Sequence, residues 1–150
     1  MAYQAVPYVR YANYYETDKM GIVHHSNHIR WMEEARLDYM KQSGMDYTDV
    51  ERNGIIMPVT DISCRYKIAI RFDEEVEIRV KLIAFNGIRA TYHYEIYTLN
   101  DKKLAASGES SHCFLDEKTR VPMNLKKRYP DFYKQGIQLL KEEGTNSNKE

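Results

Sequence analysis

Between positions 18 and 27 the chain gathers a carboxylate, a glycine, two adjacent histidines and two small polar residues: Asp18, Gly21, His24, His25, Ser26 and Asn27. An ionised carboxylate can attack an electrophile or draw a proton from water. A histidine can give or take a proton near neutral pH. Ser26 and Asn27 are residue types that open helices. The first amides of a helix lack acceptors inside it. With the positive end of the helix dipole, they can hold a developing negative charge. A carboxylate beside such a start is a candidate reactive group, and a nearby helix start favours its charged form.

Each of these residues also has a plain structural role open to it. Asp18 can bond its own backbone in a turn, and Gly21 is explained by turn geometry alone. His25 can be a satisfied structural histidine. Ser26 and Asn27 are expected to act first as caps, with Asn27 also able to hold the turn by hydrogen bonds. His24 and His28 are four apart, but a zinc site needs a third protein ligand and no H-E-x-x-H is present, so no metal is expected. Glu33 and Glu34 read as helix surface or as partners of Lys and Arg. Trp31, Met32, Tyr39 and Met40 read as core.

The elements that must position this group follow from periodicity. Residues 7–15 suit a first strand, with Pro7 at its start. Residues 17–23 form a turn. Residues 26–43 carry a helical pattern through Ile29, Met32, Ala35 or Arg36, Tyr39 and Met40, and Gly44 ends it. A short helix fits 46–53, closed by Gly54. Strands are expected at 57–67, 75–83, 89–98 and 104–115. In the second of these, Val76, Ile78, Val80 and Leu82 alternate with charged residues, the mark of a sheet with one wet face. Asn86-Gly87 and Asn100-Asp101 are turns between strands. Gly108 marks a bulge or a close approach. A terminal helix spans about 125–143, interrupted by Pro130, and the GTNSNKE tail is expected to fray. The order implies an α+β fold: four hairpin-linked antiparallel strands whose buried face packs on one long helix.

Bulk properties narrow the class. The 150 residues suit a single domain with a real core. Lys plus Arg and Asp plus Glu are 22 each, so no net charge draws the chain to nucleic acid or an anionic membrane. No signal peptide and no membrane-spanning run is seen. The two cysteines, Cys64 and Cys113, are too few for a disulfide framework and are expected as buried free thiols. The cytoplasm is the expected location.

Residues 14–36, YYETDKMGIVHHSNHIRWMEEAR, resemble the signature of the hotdog-fold acyl-CoA thioesterases, in the 4-hydroxybenzoyl-CoA thioesterase-like branch. That signature has a T-D turn, a Gly, a small apolar pair, a His, and an Asn or Tyr opening a long helix. The run CRYKIAIRFDEEVEIRV is similar to the family's second and third strands joined at an acidic turn, and AASGESSHCFLD before VPM to its last strand. The likeness covers roughly residues 5–123. It implies one hotdog domain over 1–150, an antiparallel sheet wrapped around the central helix, with a C-terminal helix. It implies protomers paired sheet edge to sheet edge as a homodimer or homotetramer, with sites between them. It implies an acyl- or aroyl-CoA substrate, or acyl carrier protein in some relatives, and neither metal nor cofactor.

The resemblance also implies roles. Asp18 is matched to the nucleophile or general base. His25 is matched to the histidine before the helix, with the backbone amides at His25 and Ser26 as oxyanion donors. Thr17, Gly21 and Asn27 support the site. The chain departs from the family at Lys19-Met20, at His24 where Tyr is common, and at His28 where an aromatic is frequent. These changes bear on substrate choice. Some relatives draw a catalytic Glu from the helix, which keeps Glu33 and Glu34 as a minor alternative. Coenzyme A carries phosphates, and Arg65, Lys67, Arg71 and Arg89 have the right charge to meet them or simply form a solvated face. The rival readings are a non-catalytic module that binds acyl thioesters and a hotdog dehydratase. The helix lacks the His and Asp arrangement the second would need.

Overall fold

The computed structural model describes residues 5–148, with side chains through residue 144. Strand β1 (Tyr8–Tyr11) leads through a 3-10 turn (Tyr14–Glu16) to the long helix α1 (His25–Gln42). A short helix α2 (Tyr47–Arg52) and strands β2 (Ile55–Ile56), β3 (Val59–Tyr66), β4 (Glu75–Phe85), β5 (Arg89–Thr98), β6 (Lys103–Cys113) and β7 (Leu115–Asp116) follow. Helices α3 (Leu125–Arg128) and α4 (Pro130–Asn148) close the chain.

Five strands form one antiparallel sheet in the order β1-β4-β5-β6-β3, and β2 pairs with β7 beside it. The inward residues Val76, Ile78 and Leu82 of β4 and Ala90, Tyr92, Tyr94 and Ile96 of β5 are buried against α1. Trp31, Met32, Ala35, Tyr39 and Met40 fill the space from the helix side. This is the hotdog architecture, a sheet folded around one helix, expected from the alternating strands and the single long amphipathic segment. Gly108 is a close approach. A Cβ there would run into the Ser63 carbonyl and lie 2.9 Å from the Met32 methyl, and the register beside it is unbroken.

Several expectations change. Strand β1 stops at Tyr11 rather than near 15, because Glu16 folds back and accepts the Asn13 amide at 2.9 Å, bending the chain into the 3-10 turn. Strands β3 and β4 are not a hairpin. β3 pairs with β6 at one edge of the sheet, while β4 lies between β1 and β5. Residues 67–74 cross between them. The strand expected at 57–67 begins at Val59 and the one expected at 104–115 breaks after Cys113; the two-residue pieces Ile55–Ile56, ahead of the first, and Leu115–Asp116, at the end of the second, pair with each other. Ile29 points outward at 37% exposure, and the inward stripe begins one residue earlier with His28. Helix α4 starts at Pro130, where its missing N–H costs nothing, and runs to Asn148, past the expected end at 143. Among the described residues no helix is long and apolar enough to cross a membrane.

Candidate active site

The group singled out in the sequence lies on one hairpin and the helix start that follows it. Thr17 and Val23 pair across an isolated antiparallel bridge. The Asp18 amide donates to the Ile22 carbonyl at 2.9 Å, and the Gly21 amide to the Asp18 carbonyl at 3.0 Å. Gly21 has φ +77°, the left-handed conformation that ends a three-residue hairpin loop. Asp18 is half-buried, and its Oδ1 accepts the Met20 amide at 2.9 Å, so the carboxylate braces its own turn. Its other oxygen meets no donor among the described residues. The crossing segment forms a floor: the Val23 amide donates to the Ile70 carbonyl at 2.7 Å, and Ile22 pairs with Arg71.

A buried carboxylate anchors the base of this hairpin. Glu16 is 5% exposed, and its two oxygens accept Arg10 Nη2 at 2.7 Å, the Asn13 amide, and Trp31 Nε1 at 2.7 Å. Arg10 bridges on to Glu34 and lies over the Trp31 ring at 4.8 Å. The Glu16 carbonyl takes the His24 amide at 2.8 Å and Asn27 Nδ2 at 2.9 Å. Sheet, hairpin and helix thus meet at one residue, and the sequence reading passed over it. The spacing Asn13-x-x-Glu16, a polar residue followed three later by Glu, was the available signal.

The helix opens differently from the expectation. His24, not Ser26 or Asn27, is the N-cap: its Nδ1 accepts the Ser26 amide at 3.3 Å and lies 2.9 Å from Ser26 Oγ. An imidazole nitrogen with a lone pair stands in for the usual side-chain oxygen, so the helix starts one residue early. Asn27 holds the turn, as one of its two expected roles. Thr17 Oγ1 donates to the Tyr14 carbonyl at 2.7 Å. The Ser26 amide is therefore occupied, while the His25 amide finds no acceptor among the described residues. The His25 ring is exposed and lies tilted against His24, with ring centroids 4.1 Å apart.

Tyr66 reaches this turn from β3. Its hydroxyl donates to the His25 carbonyl at 2.8 Å, and its ring meets His28 edge-on at 4.8 Å. Burial, then Cys64 beside it, pushes the Tyr66 phenol up to about 12, so it stays a proton donor. His28 is 4% exposed and has its pKa lowered, chiefly by burial, against the carbonyls of His25 and His24. His24 is exposed and His28 buried, so the two do not face a common point. Among the described residues no three His, Cys, Asp or Glu side chains converge as metal ligands.

An open groove of about 830 Å3 runs along the exposed side of the helix start, lined by Glu16, Thr17, His24, Ser26, Asn27 and Arg30. Glu33 and Glu34 also line it, and Glu34 is tied to Arg10 and to the Tyr8 hydroxyl. Of the four basic candidates, all exposed, Arg71 is the one paired in backbone with the hairpin.

Residues 13–136 match the family model described as the thioesterase-like superfamily. The chain is 36% identical over 125 residues to the Bacillus subtilis protein named "Putative acyl-CoA thioesterase YneP", covering 83% of this chain and 88% of that one. It is 25% identical over 118 residues to a 1,4-dihydroxy-2-naphthoyl-CoA hydrolase of Thermosynechococcus vestitus, covering 77% of this chain and 81% of that one. The crystal structure of a DHNA-CoA thioesterase from Staphylococcus aureus superposes with a TM-score of 0.85 at 36% identity, covering 92% of this chain and 93% of that one. With the hairpin, the helix start and every strand of the sheet except β1 inside the matched span, the chain belongs to the thioesterase-like superfamily, in its hotdog-fold acyl-CoA thioesterase branch.

Proposed function

We propose that this protein hydrolyses the thioester of an acyl- or aroyl-CoA to the free acid and coenzyme A, with Asp18 as the catalytic carboxylate. The observation that carries the reading is a pairing: a carboxylate with a free oxygen on a hairpin that runs straight into a helix whose first amide, at His25, has no acceptor. A thioester carbonyl is already electrophilic, so an oxyanion donor and a group that attacks or activates water suffice. As general base, Asp18 takes a proton from water, and the hydroxide adds to the carbonyl carbon. The oxyanion forms toward the His25 N–H and then collapses. The C–S bond breaks, and the thiolate leaves and takes up a proton. As nucleophile, Asp18 instead forms a mixed anhydride that water opens. His25 orients water or bonds the carbonyl.

Two relatives bear names that specify 1,4-dihydroxy-2-naphthoyl-CoA or DHNA-CoA, which favours an aroyl group over a long aliphatic chain. Cys64 and Cys113 are free and half-buried rather than fully buried, which suits a reducing cytoplasm. The test is hydrolysis of a panel of aliphatic and hydroxylated aromatic acyl-CoAs by wild type and Asp18→Asn. The variant should lose most of kcat on the best substrate. Equal rates across the panel would remove Asp18 from the chemistry. Single turnover in 18O-labelled water then tests the nucleophile route: label on Asp18 shows an anhydride opened by water at the Asp18 carboxyl carbon, since a general base keeps its own oxygens.

A further inference from the structure

The first turn of α1 is held from several directions. The His24 amide is bound to the Glu16 carbonyl, the His24 carbonyl accepts the Asn27 amide at 2.9 Å, and the Ser26 amide goes to His24 Nδ1. These bonds lie within the hairpin and the helix. The bond from Tyr66 Oη to the His25 carbonyl comes from the sheet, forty-one residues on in sequence. It acts on the same residue whose N–H is open.

We propose that Tyr66 is a positioning residue: by holding the His25 carbonyl it sets the direction of the His25 N–H that polarises the thioester. The inference rests on the function proposed above. A helical residue has two peptide planes hinged at its Cα. Fixing the plane after His25 limits how far the plane before it can swing. Oxyanion donors work through preorganisation, since no energy is then spent on alignment as charge develops. His28, itself buried, packs edge-on against the Tyr66 ring with an interplanar angle of 86° and limits its movement on that side. The hydroxyl has no competing ionised state in the working range, being pushed up to about 12. Tyr66 touches neither Asp18 nor any reacting atom in this arrangement, so its effect passes through His25.

The test compares Tyr66→Phe with Asp18→Asn on the best substrate of the panel. Phenylalanine keeps the ring against His28 and removes only the donor. The inference expects Tyr66→Phe to lower kcat by about tenfold with KM unchanged, as misplaced groups near a reacting centre do. It also expects the His25 amide cross-peak in a 1H–15N spectrum to move while that of Met20, in the hairpin, stays. If Asp18→Asn is inactive and Tyr66→Phe keeps wild-type kcat, the positioning role fails alone. A kcat loss with no movement of the His25 amide overturns it as well. If Asp18→Asn keeps full activity, the reading of the site fails, whatever Tyr66→Phe does.

Discussion

At the scale of single residues, Glu16 is where the hairpin is most easily broken. Both carboxylate oxygens are committed to donors: a guanidinium and a backbone amide on one, an indole N–H on the other. Glutamine cannot replace it. Its NH2 must face either the donors at Arg10 and Asn13 or the Trp31 N–H, and a donor set against a donor in a buried place is left unpaired. Glu16→Gln should therefore destabilise by about 3 kcal/mol, the scale of breaking one side of a buried ion pair. A fall of roughly 6–12 °C in melting temperature follows for a chain of this size. A calorimetric scan showing no change would mean that the carboxylate is not the anchor. The residues near Asp18 in sequence were legible because turn chemistry is local: Gly21 takes the left-handed conformation and Asp18 bonds its own backbone, both written in the T-D-x-x-G spacing. Tyr66 was not legible. Nothing local to residue 66 says that its hydroxyl meets a carbonyl forty-one residues earlier. His24 as the cap was also missed, because imidazole is a rare substitute for a side-chain oxygen.

At the scale of elements, periodicity was a good guide to existence and a poor one to partners. The β4 and β5 alternation is borne out by the buried faces of Val76, Ile78 and Leu82 and of Ala90 through Ile96. That β3 leaves its neighbour in sequence and crosses to the far edge is a long-range choice that no short window contains. The helix stripe is polar at two of its inward places, His28 and Arg36, which is why Ile29 looked like core and is not. Arg36 Nη1 lies 3.4 Å from His112 Nε2 on β6, and Ser110 Oγ lies 2.8 Å from the same nitrogen, with the Tyr94 hydroxyl 2.6 Å beyond. The guanidinium can only donate, so its bond needs the lone pair of Nε2, and His112 is neutral where α1 packs on the sheet. Burial, and then the Arg36 charge, lowers its pKa from 6.5 to about 4. The unfolded chain then binds the proton more readily than the folded one between those values, so stability is full above 6.5 and falls as pH drops toward 4. His28, lowered for the same main reason, adds to the fall. Melting temperatures measured at steps from pH 7.5 to 4 should decline, and His112→Gln should show a shallower decline. An identical slope in the variant would place the acid sensitivity elsewhere.

At the scale of the whole molecule, the sheet ends on one side in an edge that a lone chain would leave open. β3 is eight residues long and among the described residues pairs only with β6, so one row of its amides and carbonyls has no described strand beside it. Its inward face carries Ile62 opposite Ser110 and Tyr66 opposite Ala106, yet these are 42% and 47% exposed. Val59 is 52% exposed, and Ile68, just past the strand, 41%. A long, apolar, unpaired edge invites addition of another strand, and a second copy of the same edge supplies one in antiparallel register. Tyr66 lies on that edge and on the first turn of α1 at once, so covering the edge and setting the site are linked through one side chain. Light scattering should accordingly give a mass that is a multiple of the 17.8 kDa chain at micromolar concentration. Ile62→Lys puts a charge on the apolar face of this edge, where pairing would bury it, and should shift the protein to single chains. If the site is completed between protomers, hydrolysis should fall with the fraction of paired chains on dilution of this variant. A wild type that is monomeric and fully active would refute the edge pairing, and a monomeric Ile62→Lys with undiminished kcat would show that each chain carries a complete site by itself.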